Sequence, residues 1–520
     1  MKESRREFIK KSGCALGMTA LATQMTHFGL VDAMAQSIDP LALTGYKALV
    51  LCYFDGGNDG NNMVVPIHDV PVGTTGISNY ATYTAARQTQ GLALPRTGTG
   101  ALLPISVPRM GSDYTYGLHP AFGALTRNIG ANIINNGIHE LYQQGKMAIV
   151  PNVGTLVRPT TKAQMSQSSH PKPYQLYSHS DQTNQNQNAY ANRPIFTGWG
   201  GRLADALKAG VDPANIGGLI PMVTSIAGAQ IFTAAQQSPP LAIGQANTVT
   251  IPLPNPLPTP NLRTILSPAG FGNTGGTQRR TALNQIRAEE VLSNANFVKE
   301  SAKVLDTAMQ ADAAFATANE VAAEFPNTSL GQQLRQVARL IQMRSPLSMN
   351  RQIFFVRIGG FDTHTDQLGA HDNLFTQFSQ AARAFYDSMV GLGIQNDVTL
   401  FTLSDFGRTF NPAGSGAGVG TDHAWGNHCM VIGGSVLGGN FYGLPTSNGT
   451  PYPNLAFNGT DDADGGSGAR GRWIPSTSVE QYAATLARWY GLPQDQTTLE
   501  AVFPNIGNFN LASGTLDFLP

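Results

Sequence analysis

Charged side chains are scarce in this chain of 520 residues. Asp, Glu, Lys and Arg make up 13% of the sequence, about half of the roughly 25% that is usual in soluble domains. The 33 basic residues balance the 33 acidic ones. A balanced chain offers no bulk electrostatic attraction for nucleic acid or for an anionic membrane. We therefore expect neither as a partner.

Cysteines are also few, and several well-known motifs are missing. Of the three cysteines, Cys14 lies in the N-terminal segment, while Cys52 and Cys429 lie in apolar runs. An oxidising compartment permits a bridge between the latter two, but we favour two buried thiols on different strands. The first apolar run is not followed by Gly-x-Gly-x-x-Gly, and the sequence contains no P-loop and no Gly-x-Ser-x-Gly. These absences argue against dinucleotide binding and against the usual lipase chemistry.

Long apolar runs are missing beyond the N-terminal segment, so we expect no membrane span in the mature chain. Residues 4–10 read SRREFIK, an apolar stretch follows over residues 13–30, and Ala33-Met34-Ala35 is a small-x-small pattern. This order is typical of a secretory leader with paired arginines. We predict that residues 1–35 form a twin-arginine signal peptide, which is recognised by the twin-arginine export machinery and cleaved after Ala35. The mature protein is then periplasmic or secreted.

The remaining chain predicts an α/β fold. Five short apolar runs are typical of strands that are buried on both faces: residues 48–54, 147–153, 353–358, 398–403 and 429–432. Helical spacing over residues 120–145 and 374–389 separates them. We expect a sheet covered by helices, in a single domain over residues 45–505. Residues 209–345, first rich in proline and glycine and then helical, are predicted to be an insertion within it.

Aspartates follow three of these predicted strands, namely Asp55, Asp362 and Asp405. Ligands collect at the carboxyl ends of the strands in such folds. Two further patterns, Asp362-x-His364 and Asp422-His423, add imidazole nitrogen to the carboxylate oxygen. The set predicts a site for a divalent metal ion, namely zinc, manganese, iron or calcium.

A structural alternative exists for each of these residues. Strand-end aspartates often cap the following helix, and neighbouring histidines and aspartates often make only structural hydrogen bonds. Arg408, three residues after Asp405, either binds an anionic substrate or pairs with Asp405.

Five ordered motifs carry a family resemblance. They are Gly117-Leu118-His119-Pro120-Ala121, Thr197-Gly198-Trp199, Gly359-Gly360-Phe361-Asp362-Thr363-His364, Ser404-Asp405-Phe406-Gly407-Arg408-Thr409 and Gly420-Thr421-Asp422-His423. Together with the arginine leader, they resemble a bacterial family of exported proteins, domain-of-unknown-function family 1501, over roughly residues 45–490. That family looks related to the alkaline phosphatase and sulfatase superfamily. The relationship implies a three-layer α/β/α sandwich with a mixed, mostly parallel sheet.

The resemblance also implies roles for individual residues. Asp55 matches the superfamily's metal aspartate after the first strand, and His423 resembles its late metal histidine. Ser178 stands near the nucleophile position, with His179 beside it as a further catalytic residue. The remaining implied metal ligands are Asp362, His364, Asp405 and Asp422.

The sequence departs from the superfamily pattern in three places. The usual Asp-His element is Asp405-Phe406, and the usual Asp-x-x-x-His spacing is shortened to Asp362-x-His364. The Cys-or-Ser-x-Pro-x-Arg modification motif is absent, so the protein is not expected to be a formylglycine sulfatase.

Two hypotheses of function follow. The first is an exported metal-dependent hydrolase of phosphate or sulfate esters, or of a related anionic group, on a small anionic molecule or a polysaccharide. The second is a secreted binding or assembly protein that keeps the hydrolase fold without the chemistry. Convergence of the strand-end residues on one cleft favours the first.

Overall fold

A computed structural model describes residues 45–123, 126–129, 132–135, 137–208, 214–243, 310, 321–414, 416–509 and 516–520. The predicted signal peptide lies outside these residues, as do residues 209–213, 244–309 and 311–320 of the predicted insertion. Among the described residues, no helix is long and apolar enough to cross a membrane.

A mixed sheet of eight strands forms the centre of the described fold. Its strands are β1 (Lys47–Asp55), β7 (Met147–Gly154), β8 (Val223–Ser225), β9 (Leu241–Ala242), β10 (Arg351–Gly359), β11 (Val398–Ser404), β12 (Asn427–Gly433) and β13 (Thr477–Ser478). Their order across the sheet is β13-β7-β12-β11-β1-β10-β8-β9. The β12 strand runs antiparallel to both neighbours, and the other pairs are parallel. All five predicted strands are thus confirmed within a mixed, mostly parallel sheet.

Smaller sheets and helices complete the described structure. The other strands are β2 (Val64–Pro66), β3 (Leu103–Ser106), β4 (Thr115–Leu118), β5 (Thr126–Ile129) and β6 (Asn132–Asn135). The helices are α1 (Gly60–Met63), α2 (Tyr80–Arg87), α3 (Ile138–Gln143), α4 (Lys162–Met165), α5 (His179–Asn188), α6 (Trp199–Lys208), α7 (Ser329–Gln342), α8 (Gln367–Gly391), α9 (Val479–Tyr490) and α10 (Gln496–Val502).

Two apolar cores lie on opposite faces of the sheet. Alternate residues of β1 enter different cores, because successive side chains of a strand point to opposite faces. Val50 and Phe54 pack in the core that contains residues of α7 and α8. Leu51 and Tyr53 pack in the core that contains residues of α6, α9 and α10. Helices therefore cover both faces, which confirms the predicted three-layer α/β/α architecture; the relationship to the alkaline phosphatase and sulfatase superfamily stays a prediction.

The two cysteines of the sheet lie on these opposite faces. Cys52 is buried in the first core and Cys429 in the second, and both thiols are free. The sheet stands between them, so they cannot form a disulfide. The preference for two buried thiols is confirmed.

The helix predicted over residues 120–145 is wrong for most of its length. The structure has the antiparallel hairpin of β5 and β6 there, and a helix only over α3. Ile129, Ile133 and Ile134 are β-branched, and the two strands also contain three asparagines, Asn128, Asn132 and Asn135. Such residues have low helix propensity, so a spacing compatible with a helix did not outweigh local preference.

Part of the predicted insertion contributes to the main structure. The strands β8 and β9 extend the central sheet beyond β10, and apolar residues of α7 belong to the first core. Residues 223–225, 241–242 and 329–342 are therefore built into the α/β unit.

Glu480, in the first turn of α9, is buried and gives the fold a pH dependence. Its Oε1 atom accepts a 3.4 Å hydrogen bond from Asn505, whereas its Oε2 atom has no partner in the described structure. Burial raises the pKa of Glu480 to about 7. Between its ordinary pKa and this value, the folded protein binds more protons than the unfolded chain, so the free energy of unfolding falls as the pH rises.

As the pH rises from about 4 to 8, we expect the free energy of unfolding of the wild-type protein to fall by ~3 kcal/mol relative to that of Glu480→Gln. The glutamine side chain has the same shape and carries no charge at either pH. Urea unfolding of both proteins across this range measures the difference. Parallel pH profiles would contradict the expectation.

Candidate metal centre

Three strand-end segments meet at the carboxyl edge of β1, β10 and β11. Behind this edge, the backbone N–H of Gly56 donates to both carboxylate oxygens of Asp405, at 3.0 and 3.2 Å. Gly56 has φ +113, and a Cβ there would lie 2.5 Å from the backbone N of Asp362. Only glycine permits this approach, which places Asp405 and Asp362 at the same edge.

His179, the first residue of α5, is brought to this edge by a strained turn. Tyr177 has φ +73, a conformation that is unfavourable for a residue with a side chain. The turn directs the Tyr177 carbonyl oxygen at His423, whose Nδ1 lies 2.9 Å away. The Nδ1 atom of His179 lies 2.7 Å from Asp405 Oδ2.

The partners of these two imidazoles define their tautomers. A carboxylate and a carbonyl oxygen only accept hydrogen bonds, so Nδ1 of His179 and Nδ1 of His423 each carry a proton. In the neutral rings both Nε2 atoms are then bare acceptors, yet they face each other at 3.0 Å. Two lone pairs at this distance repel unless a cation, either a proton or a metal ion, lies between them.

Asp362 completes the group that faces this point. Its Oδ1 atom lies 3.3 Å from His179 Nε2 and 3.4 Å from His423 Nε2. One ligand atom from each of the three residues lies within 4.8 Å of the others. Two imidazole nitrogens and a carboxylate oxygen are donors suited to zinc, manganese or iron. We call His179, Asp362 and His423 the central triad.

Phe406 packs against both imidazoles of the central triad. Its ring centroid lies 4.7 Å from that of His179 and 4.7 Å from that of His423. The predicted resemblance to the superfamily implies a histidine ligand at the position of Phe406. The structure thus has an apolar support there in place of a nitrogen donor.

Arg408 lies beneath the central triad with none of its side chain exposed. Its Nε donates to the Gly57 carbonyl at 2.8 Å and its Nη1 to the Thr421 carbonyl at 3.0 Å. Its Nη2 contacts the carbonyls of Gly56 and Phe361 and lies 2.5 Å from Asp362 Oδ1. The guanidinium therefore joins three loops, and its direct contact with substrate stays a prediction.

The surroundings of the central triad shift its pKa values in different directions. Burial raises the pKa of Asp362, but Arg408 and the nearby histidines outweigh it and lower this pKa to about 2. The hydrogen bond to Asp405 raises the pKa of His179. Burial lowers the pKa of His423. Of the two facing imidazoles, His179 thus holds a proton more readily.

His364 and Asp422 lie beside the triad. His364 Nε2 is 3.1 Å from Asp362 Oδ1, and its Nδ1 is 3.2 Å from Asp422 Oδ1. Asp422 Oδ2 in turn pairs with Arg470 Nη1 at 2.7 Å. These predicted ligands are adjacent to the central triad and form a chain that leads away from it.

Asp55 and Ser178 are placed differently. Asp55 Oδ2 lies 3.5 Å from Arg357 Nη1, and burial, followed by the charge of Asp405, raises the pKa of Asp55. The Ser178 hydroxyl donates to Asp181 Oδ2 at 2.6 Å at the start of α5. Neither residue belongs to the central triad, and the roles implied for them stay predictions.

Arg357, Arg470 and Arg472 are site residues that the sequence reasoning did not select. Arg472 donates to the His423 carbonyl at 2.7 Å and pairs with Asp464 at 3.0 Å. No recognisable motif surrounds these arginines. The only sequence feature that could have pointed to two of them is their close spacing in Arg470-Gly471-Arg472.

Comparison with known proteins identifies the family. The profile of the family described as "Protein of unknown function (DUF1501)" matches residues 46–452. The chain therefore belongs to this family, in agreement with the predicted resemblance. No curated protein matches the chain.

Among solved structures, the chain is similar to one titled "Crystal structure of Ps i-CgsB in complex with k-i-k-neocarrahexaose". The identity is 10%, and the match covers 90% of this chain and 77% of that chain, with a TM-score of 0.30. A score this low supports no inference about fold or function.

Proposed function

We propose that the protein is an exported metal-dependent hydrolase of phosphate or sulfate esters, or of a related anionic group. The observation that carries this proposal is the 3.0 Å approach of two Nε2 atoms, both bare in the neutral rings, next to the Asp362 carboxylate. A divalent ion relieves the repulsion between the two nitrogens and uses all three donors. His179, Asp362 and His423 would hold it.

The residues around the triad have separate tasks in this proposal. Asp405 orients His179 through its Nδ1–H, as carboxylates behind metal-bound histidines usually do. The Tyr177 carbonyl does the same for His423. A bound divalent metal lowers the pKa of water and neutralises charge on the ester oxygens. Water is the better candidate nucleophile, because the Ser178 hydroxyl is hydrogen-bonded to Asp181.

The charges at the site connect the metal with an anionic substrate. Four aspartates of the site pair with four arginines: Asp55 with Arg357, Asp362 with Arg408, Asp422 with Arg470 and Asp464 with Arg472. Asp405 pairs with His179 instead. A divalent cation would add positive charge to this site, so it would strengthen the attraction for an anionic ester as well as supply chemistry.

Metal analysis tests this proposal. We expect the folded, exported protein to contain about one divalent ion per chain, the usual stoichiometry of a mononuclear site with three protein ligands. We expect Asp362→Ala and His423→Ala to lose it, as measured by inductively coupled plasma mass spectrometry. His139→Ala is the matched control, because His139 is half-buried on α3 and its Nε2 contacts the Pro104 carbonyl. Wild-type protein without a divalent ion, or variants with unchanged content, would sink the proposal.

The second candidate is a secreted binding or assembly protein without catalytic activity. One observation favours it: Arg408 Nη2 lies 2.5 Å from Asp362 Oδ1, the same oxygen that faces both histidines. A guanidinium that keeps this oxygen competes with a metal ion for it. A metal-free protein that hydrolyses no aryl phosphate or sulfate ester with zinc, manganese, iron or calcium added would support this candidate.

A further inference from the structure

Two of the four arginines at the site, Arg357 and Arg470, have weaker or fewer side-chain contacts with the protein than Arg408 and Arg472. Arg357 on β10 has 47% of its side chain exposed and contacts Asp55 at 3.5 Å, which is long for an ion pair. Arg470 has 28% of its side chain exposed and pairs with Asp422 at 2.7 Å. The Nε atom of Arg470 is buried and has no hydrogen-bond partner in the described structure.

The other two arginines at the site have no such freedom. Arg408 is fully buried, and all three of its nitrogens donate to main-chain or carboxylate oxygens. Arg472 donates to the His423 carbonyl and to both oxygens of Asp464, and its guanidinium stacks over the Tyr177 ring. Arg357 and Arg470 are therefore the guanidinium groups that a ligand can engage at the smallest cost in broken bonds.

These two arginines pair with different carboxylates next to the central triad. Arg357 on β10 pairs with Asp55, the last residue of β1, and Arg470 pairs with Asp422. Asp422 contacts His364, which in turn contacts Asp362 of the triad. An anionic group that reaches either arginine must therefore displace a different carboxylate, Asp55 or Asp422.

We propose that Arg357 and Arg470 determine specificity by binding anionic groups that neighbour the one held at the central triad. The substrate is then a chain that carries several anionic groups, such as sulfate or phosphate esters on successive units. Arginine suits this task, because its planar fork binds such groups through two hydrogen bonds. Asp55 and Asp422 hold the two guanidinium groups in place until the ligand exchanges with them. This inference rests on the proposed function.

Binding measurements with metal-loaded protein test the inference. The probes are inorganic sulfate, which carries one anionic centre, and an oligosaccharide that carries a sulfate ester on each unit. For the oligosaccharide we expect Arg357→Ala and Arg470→Ala each to raise the Kd at least roughly 10-fold, because each variant loses its charge-assisted contact with one anionic group. The double variant should raise it roughly 100-fold, because separated sites contribute additively. The Kd for inorganic sulfate should stay unchanged.

Arg96→Ala is the matched control. Arg96 is an exposed arginine that also pairs with an aspartate, Asp69, at 2.7 Å, but at a different place on the surface. Metal content measured on each variant shows that the central triad is intact. Unchanged oligosaccharide affinity in both single variants would overturn the inference, and so would an equal loss for inorganic sulfate. A wild-type protein that binds no metal would contradict the proposed function, and this outcome is distinguishable from the two that overturn the inference.

Discussion

Asp405→Asn is expected to weaken metal binding by roughly 10–100-fold, the usual effect of removing the carboxylate behind a ligating histidine. Asp405 accepts the Nδ1–H of His179 and two contacts from the Gly56 N–H. An asparagine has one acceptor oxygen, so its amide group must face one of these two donors. When the amide group faces His179, the Nδ1–H loses its acceptor. The ring then no longer keeps its proton on Nδ1, so the Nε2 lone pair is not reserved for a metal ion.

Competition with a chelating dye measures this effect on the metal Kd. Asp69→Asn is the control, since Asp69 is exposed and pairs with Arg96. Asp55→Asn discriminates further, because the superfamily resemblance implies that Asp55 is itself a ligand. An affinity loss for Asp55→Asn that equals the one for Asp405→Asn would favour the superfamily arrangement over the central triad.

Arg408→Leu is expected to lower the free energy of unfolding by roughly 3–5 kcal/mol, because it leaves several buried carbonyl oxygens unpaired at about 1–3 kcal/mol each. The leucine removes the guanidinium donor from four carbonyl oxygens, which belong to Gly56, Gly57, Phe361 and Thr421. The Phe361 oxygen keeps the Thr363 N–H as a donor at 2.8 Å. Each unpaired buried oxygen retains its desolvation cost. Because these carbonyls lie in three different loops, the loss should also separate the residues of the metal centre.

Urea unfolding of Arg408→Leu and Asp362→Ala distinguishes two roles of the guanidinium. Asp362→Ala removes only the carboxylate partner and keeps the carbonyl contacts, so we expect a smaller loss of about 1.5–3 kcal/mol, typical of a hydrogen bond to a charged group. Equal losses in the two variants would mean that Arg408 serves mainly to balance the Asp362 charge. The Arg408→Lys variant should recover part of the stability, because an ammonium group keeps the charge but lacks the planar fork.

Much of the fold could be predicted from the sequence because its strands are buried on both faces. Continuous apolar runs such as residues 48–54 are shorter than most helices and end near glycines, which favours buried strands, and the carboxyl ends of parallel strands meet at one edge. That rule placed Asp362 and Asp405 together. The β5–β6 hairpin was missed because apolar spacing alone does not distinguish a helix from two short strands of β-branched residues joined by a turn.

The composition of the site was harder to predict, since it depends on loops. His179 reaches Asp405 because Tyr177 adopts a positive φ, which the residue type does not indicate. The burial of Arg408 depends on three loops that close around it, and the sequence does not reveal this burial. Its position three residues after Asp405 therefore suggested a contact with substrate. Arg357 and Arg470 acquire their positions only from the tertiary structure.

The packing of Phe406 has a thermodynamic consequence. A metal ion that binds two mobile histidines must first restrict their rotation, at a cost in side-chain entropy. Here one aromatic ring contacts both imidazoles, and their Nδ1 atoms are already hydrogen-bonded. Folding has therefore met most of that ordering cost before any ion arrives. An aromatic side chain that ligates nothing can in this way raise the affinity of the site next to it.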